Sequence, residues 1–224
     1  MKKLFDSYTG WIVLTNVLVF FLLLIFGFYN DTYCSTSLCK YLVLQPYAIL
    51  HGQYLWTIVT SMFVHSGLTH LVVNMISLIF IGGFVEKLIG KKRYLWLYFV
   101  GGIIASLFFV LFAGVFGTTD LGARIFGSPM DFAVGASGAI FALGGLLAVL
   151  IPKMKVLVFF IIPMPMWVAM LVLSFVMWIF SAGFSLPIGN TAHLGGLVLG
   201  ALYGVYLRVN YPNKIKMISQ FFGR

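Results

Sequence analysis

The sequence predicts an all-α polytopic membrane protein built as a bundle of six transmembrane helices. Three observations carry that expectation. The 224 residues are 62% hydrophobic and only 8% charged, with a mean hydropathy of +1.07, whereas soluble domains carry about a quarter charged residues. Six apolar runs approach the length of about 20 residues that crosses a bilayer. The cations punctuate those runs instead of gathering on one polar face, which is the pattern of a polytopic chain. The same distribution excludes a nucleic-acid reading of the net charge of +9.

The elements follow in order. The first run, 11–28, is too long and too aromatic for a signal peptide and lacks a small-residue cleavage site, so it reads as a retained span. A long connection, 29–68, holds an apolar stretch at 41–44 that suits the membrane interface, and it also carries Cys34 and Cys39. An outside location permits a disulfide between them, and two free thiols fit equally. Spans two and three are 69–85 and 94–116, followed by a Gly-rich connection, 117–136, with Asp120 and Asp131. Span four is 137–151. Span five, 156–180, contains Pro163 and Pro165, each of which removes a backbone donor and predicts a kink or break. Span six is 191–209. Lipid offers backbone groups no hydrogen bonds, so all six are expected to be helical. No Pro/Ser-rich linker or internal repeat divides them, and residues 1–224 read as one domain.

Charge then sets an expected orientation. With the N-terminus inside, twelve of the 14 cations fall on the inner side: Lys2, Lys3, Lys87, Lys91, Lys92, Arg93, Lys153, Lys155, Arg208, Lys214, Lys216 and Arg224. Only Lys40 and Arg124 fall outside. This positive-inside bias predicts an even number of spans with both termini cytoplasmic.

The chemistry gathers around Gly135-Ala136-Ser137-Gly138, where a polar connection gives way to an apolar run. A serine there serves close helix packing or nucleophilic attack, and three histidines in lipid-embedded sequence favour the second. Sixteen residues separate Ser137 from Lys153, about 24 Å of helix. His193 lies fifteen residues from Arg208, about 22 Å, and His70 sixteen from Glu86, about 24 Å. All three groups therefore share one depth, a few ångströms below the outer surface of a core about 30 Å thick. Ionisable groups at such depth face a bundle interior or a wet cavity. Ser137 is the candidate nucleophile and His193 its base and later acid. His70 and Asn74, four apart, project the same way. They and the Ser137 amide are candidate donors to an oxyanion, and the plain reading of His70 and Asn74 is interhelical hydrogen bonding. Gly196 and Gly200 form GxxxG, and with Gly138, Ala139, Gly144 and Gly145 they predict close contact of spans four and six. His65 orients the adjoining connection, and His51 reads as interfacial. No carboxylate has an evident claim to complete a triad; Asp131 is six residues before Ser137. Ala139 stands where a lipase-type nucleophile elbow wants glycine, and HExxH is absent, which disfavours a metalloprotease.

Three motifs, SMFVHSGLTHLVVNM at 61–75, GASGAIFAL at 135–143 and AHLGGLVLG at 192–200, resemble the rhomboid family of intramembrane serine proteases. Together HxxxxHxxxN, GxSG and AHxxGxxxG are specific, and their order matches that family's six-helix core. The resemblance implies Ser137 as nucleophile and His193 as base. It implies an oxyanion site at His70, Asn74, the Ser137 amide and Gly135, a structural role for His65, and packing roles for Gly138, Gly196 and Gly200. It implies single-span membrane proteins as substrates, membrane lipids as surroundings, the cell membrane as location, and neither metal nor cofactor.

Two departures stand out. Trp56-Thr57 occupies the place of a common Trp-Arg pair, and Phe141, one turn after Ser137, replaces a Tyr found in some members. Phe141 can still stack on His193. A non-catalytic rhomboid-like chaperone that binds client helices is the second expectation, opposed by the intact Ser137 and His193. A solute transporter finds no inverted repeat in its favour.

Overall fold

The computed structural model describes residues 6–27, 40–158, 161–184 and 189–222. Cys34 and Cys39, and the terminal cations Lys2, Lys3 and Arg224, lie outside the described residues.

Helix α1 (Tyr8–Ile25) starts three residues before the expected span, because its first turn is held from both sides. Ser7 Oγ accepts from the Gly10 amide at 3.0 Å. The Glu86 carboxylate accepts from the Tyr8 and Thr9 amides, both at 2.9 Å, and from the Thr9 hydroxyl at 2.7 Å. The carboxylate thus satisfies donors that a helix start leaves unpaired and meets the positive end of the helix dipole.

The described part of the long connection, from residue 40 onward, is folded. It holds the short helices α2 (Pro46–Leu50) and α3 (Thr57–Thr60), then a 3₁₀ turn at Ser61–Phe63. Helix α4 (Leu68–Ile89) contains a π-helical stretch at Leu78–Gly82. Gly90, at φ +86°, turns the chain into α5 (Lys91–Phe116). The connection expected to be merely Gly-rich contains α6 (Asp120–Phe126), capped by Thr119.

Helix α7 (Ser137–Leu150) is only 14 residues, about 21 Å of rise. Residues from Gly138 to Leu147 are buried on every side, which explains an apolar sequence with no polar face. It packs on α5 and on α9 (Asn190–Asn210). The contact is a seam of missing side chains. A Cβ on Gly196 would strike the Gly138 carbonyl, one on Gly200 the Ala142 carbonyl, and one on Gly145 the Leu197 carbonyl. On the α5 side, a Cβ on Gly138 would come 2.5 Å from Ala105 Cβ.

Span five departs from expectation. Residues 155–158 and 161–165 are not helical: β1 (Lys155–Val158) pairs antiparallel with β2 (Ile162–Pro165), and α8 (Met166–Phe184) begins only after them. Pro163 and Pro165 therefore kink no helix; they sit on β2 opposite Leu157 and Lys155. Two residues apart, they turn their donorless nitrogens to one side, the open edge of a two-stranded sheet, where proline is tolerated. Among the described residues, five helices, α1, α4, α5, α8 and α9, are long and apolar enough to cross a membrane, with α7 a shorter apolar sixth. Helix α10 (Pro212–Phe222) follows α9 and lays Ile215, Ile218 and Phe222 against the bundle.

Candidate active site

Ser137 is the first residue of α7, and its neighbours fix where that helix begins. The preceding strand-like segment is tied to the long connection: Leu44 and Ala133 exchange amide hydrogen bonds at 3.1 and 2.8 Å, and the Gly135 amide donates to the Ser61 carbonyl at 2.9 Å. Gly135 holds φ +115°, a region that L side chains rarely adopt. A Cβ there would lie 2.8 Å from His70 Cε1, 3.0 Å from His70 Nε2 and 3.8 Å from Ser137 Oγ. The missing side chain leaves the space between the imidazole and the hydroxyl.

His193 enters from the first turn of α9. Its Nε2 lies 2.8 Å from Ser137 Oγ, a hydrogen-bond distance. The Phe141 ring lies flat on the imidazole, with centroids 4.4 Å apart and planes at 9°. His193 Nδ1 has no hydrogen-bond partner among the described residues. Asp131 is occupied elsewhere, accepting from the Ser128 amide at 2.7 Å.

His70 is oriented by Ser66, which sequence reasoning passed over although it precedes His70 by one helical turn. The Ser66 amide donates to His70 Nδ1 at 3.3 Å, and the Ser66 hydroxyl lies 3.0 Å from the same nitrogen. Nδ1 of the neutral ring is therefore the acceptor, and Nε2, facing Gly135, carries the proton. Asn74 lines the same cleft, and its Nδ2 donates at 2.9 Å to the His70 carbonyl in its own helix. The first-turn amides of α7, including that of Ser137, have no acceptor within the helix.

His65 is fully buried in the connection before α4, its ring 5.1 Å from that of His70. Burial, and next the neighbouring His70, hold its pKa down to about 3, against a hydrogen bond to the Phe63 backbone. His51 is exposed, with Nδ1 2.7 Å from the Tyr47 carbonyl, away from this group. Trp56 donates to the Tyr41 carbonyl at 2.9 Å, and Thr57 beside it is buried.

Ser137, His193, Phe141, His70, Asn74 and Ser66 line a cleft of about 1030 Å³. Its walls are α4, through Val73, Ser77 and Phe80, and α8, through Met170, Leu173 and Met177. The methionines were not singled out in the sequence; their helical spacing is also that of ordinary core.

A model of the Rhomboid domain matches residues 52–210. The chain belongs to the rhomboid family. Over 187 residues it is 32% identical to Rhomboid protein 1, mitochondrial, of Saccharomyces cerevisiae, covering 82% of this chain and 50% of the yeast protein. It is 30% identical over 196 residues to Rhomboid protease GluP of Bacillus subtilis, covering 87% of this chain and 33% of that protein. A shorter stretch, 80 residues at 42% identity, matches Inactive RHOMBOID-like protein 8 of Arabidopsis thaliana, covering 36% of this chain and 23% of the plant protein. The chain spans half or less of the length of these curated relatives. As a rhomboid family member with several membrane-crossing helices, it is a multi-pass integral membrane protein.

Proposed function

We propose that this rhomboid chain is an intramembrane serine endopeptidase that cleaves single-span membrane proteins near the outer face, working with a Ser137–His193 dyad. The observation that carries the reading is the 2.8 Å approach of Ser137 Oγ to His193 Nε2 at the end of a cleft between membrane helices.

Ser137 Oγ attacks the scissile carbonyl while His193 Nε2 takes its proton. His193 then returns that proton to the leaving amine, and an acyl-enzyme forms. Water, activated by the same imidazole, releases the acyl group. The developing oxyanion is met by the Nε2–H of His70 and the Ser137 amide, with Asn74 a further donor. Phe141 fixes the plane of the base by stacking. A substrate helix enters sideways between α4 and α8, where both helices face the cleft. It unwinds locally, so helix-weakening Gly or Pro in the substrate favours cleavage. The sequence's excess of cations in alternate connections supports a reading with both termini in the cytoplasm and the protein in the cell membrane.

The test is cleavage of a fluorogenic membrane substrate by purified protein. Activity is expected to vanish in Ser137→Ala and in His193→Ala; wild-type turnover surviving Ser137→Ala ends the reading. A second reading, a non-catalytic chaperone for client helices, draws on the relative named inactive. A fluorophosphonate probe separates the two: Ser137 that stays unlabelled in lipid, while client peptides bind, favours the chaperone.

A further inference from the structure

At the opposite end of the bundle, a second cavity of about 310 Å³ lies between the α4–α5 junction and the corner where α9 passes into α10. That volume suits a small ligand group. Three cations from three elements line it: Lys87 near the end of α4, Arg93 in the first turn of α5, and Lys214 on α10. All three are exposed. Leu207 and Ile215 supply an apolar floor. Arg93 is held in place: its Nη2 donates to the Tyr211 hydroxyl at 3.0 Å, and its guanidinium stands 5.1 Å over the Tyr211 ring. The planar fork is thus oriented, with further N–H donors left for an acceptor of matching geometry.

Among the described residues, no carboxylate pairs with this charge. Glu86, the acid in the same stretch as Lys87, is turned to the Tyr8 and Thr9 amides. Among the described residues, Lys87, Arg93 and Lys214 form no ion pair with a carboxylate. The location is a membrane boundary, since α4 ends, α5 begins and α9 ends there. On α10, Met217 and Phe221 are four apart and 66% and 77% exposed, so that helix turns an apolar stripe away from the protein beside the pocket. A helix with one apolar outer stripe and lysines beside it lies in the headgroup layer.

We propose that this pocket binds the phosphate of an anionic phospholipid, with Arg93 as the bidentate donor, Lys87 and Lys214 as flanking charges, and the acyl chains running along the exposed stripe. Basic pockets between membrane helices take such headgroups. A soluble phosphate offers the same oxygens, but it has no use for the apolar stripe; the lipid satisfies both.

The experiment is native mass spectrometry of the full chain released from detergent after incubation with phosphatidylglycerol, with phosphatidylcholine, or with inorganic phosphate alone. The wild type is expected to retain phosphatidylglycerol selectively. The double variant Lys87→Gln/Lys214→Gln is expected to retain it about thirtyfold less well. Both side chains are exposed, so folding is undisturbed, and an unchanged elution volume checks this. The control Lys153→Gln/Lys155→Gln removes two exposed cations that neither line the pocket nor lie on α10, and it is expected to behave as wild type. Equal retention of phosphatidylcholine, undiminished retention by the Lys87/Lys214 variant, or equal loss in the control overturns the proposal. Inorganic phosphate binding as tightly as the lipid overturns it too, and marks a soluble-anion site instead.

Discussion

Phe141 and His193 are stacked face to face, 4.4 Å between centroids, across the seam that joins α7 to α9. The stack leaves the imidazole one plane in which to meet Ser137. Phe141→Ala removes it and opens a cavity beside the ring. An aromatic pair contributes about 0.5–1.5 kcal/mol beyond burial, so the rate of fluorophosphonate labelling at Ser137 is expected to fall up to about tenfold. Phe141→Tyr keeps the ring and is expected to label at close to the wild-type rate. Equal rates for Ala and Tyr would show that the stack has no part in positioning.

Gly135→Ala places a methyl group between His70 and Ser137 and strains a backbone at φ +115°. Displacing reacting groups by about 1 Å costs on the order of a hundredfold in rate. Cleavage and labelling are expected to drop by about that factor in a protein that still elutes as a single species. Labelling at the wild-type rate would mean that the imidazole is not needed where it stands.

Glycines on one helix are not equivalent. Gly200→Ala drives a Cβ into the Ala142 carbonyl, and backbone cannot yield without parting the helices. Overpacking of this kind costs about 1–3 kcal/mol, read as a lowered thermal midpoint. Gly195→Ala comes 2.6 Å from Phe108 Cβ and Cγ, a smaller overlap than with the Ala142 carbonyl, and is expected to cost less. A midpoint lowered more by Gly195→Ala than by Gly200→Ala would contradict the seam.

His65 gives stability a pH dependence of known sign. Unfolded, the ring takes a proton near pH 6.5; folded, it resists protonation down to about 3. Between those values the unfolded chain binds more protons, so stability falls as pH falls, by up to about 1.4 kcal/mol per pH unit for one group. Thermal midpoints measured from pH 7 to pH 4 should decline more steeply for the wild type than for His65→Gln. Parallel declines would remove His65 as the cause.

The helical spans were legible because hydropathy and length leave lipid few alternatives. The meeting of α7 and α9 was legible in paired glycines at helical spacing, since absent side chains permit only close approach. The pairing of 155–158 with 162–165 was not, because KVLVFFIIPMP is as apolar as a helix and short apolar runs carry no period that separates strand from helix. Pro163 and Pro165 were the available signal, and they mark an open sheet edge, not a bent span. The capping role of Glu86 was invisible for another reason. Its partners Tyr8 and Thr9 lie 78 and 77 residues away, and no local pattern announces a carboxylate that caps a distant helix. Ser66 lay within reach of a local argument, one turn before His70, yet the proton position it sets depends on a geometry that only the folded connection supplies.

The central position of α7 has a consequence for biosynthesis. Ser137 leaves the ribosome 56 residues ahead of His193, and the seam that brings them together cannot close until α9 has been inserted. A nascent chain carrying every earlier helix still lacks the paired hydroxyl and imidazole, so translation and insertion themselves time the appearance of the site.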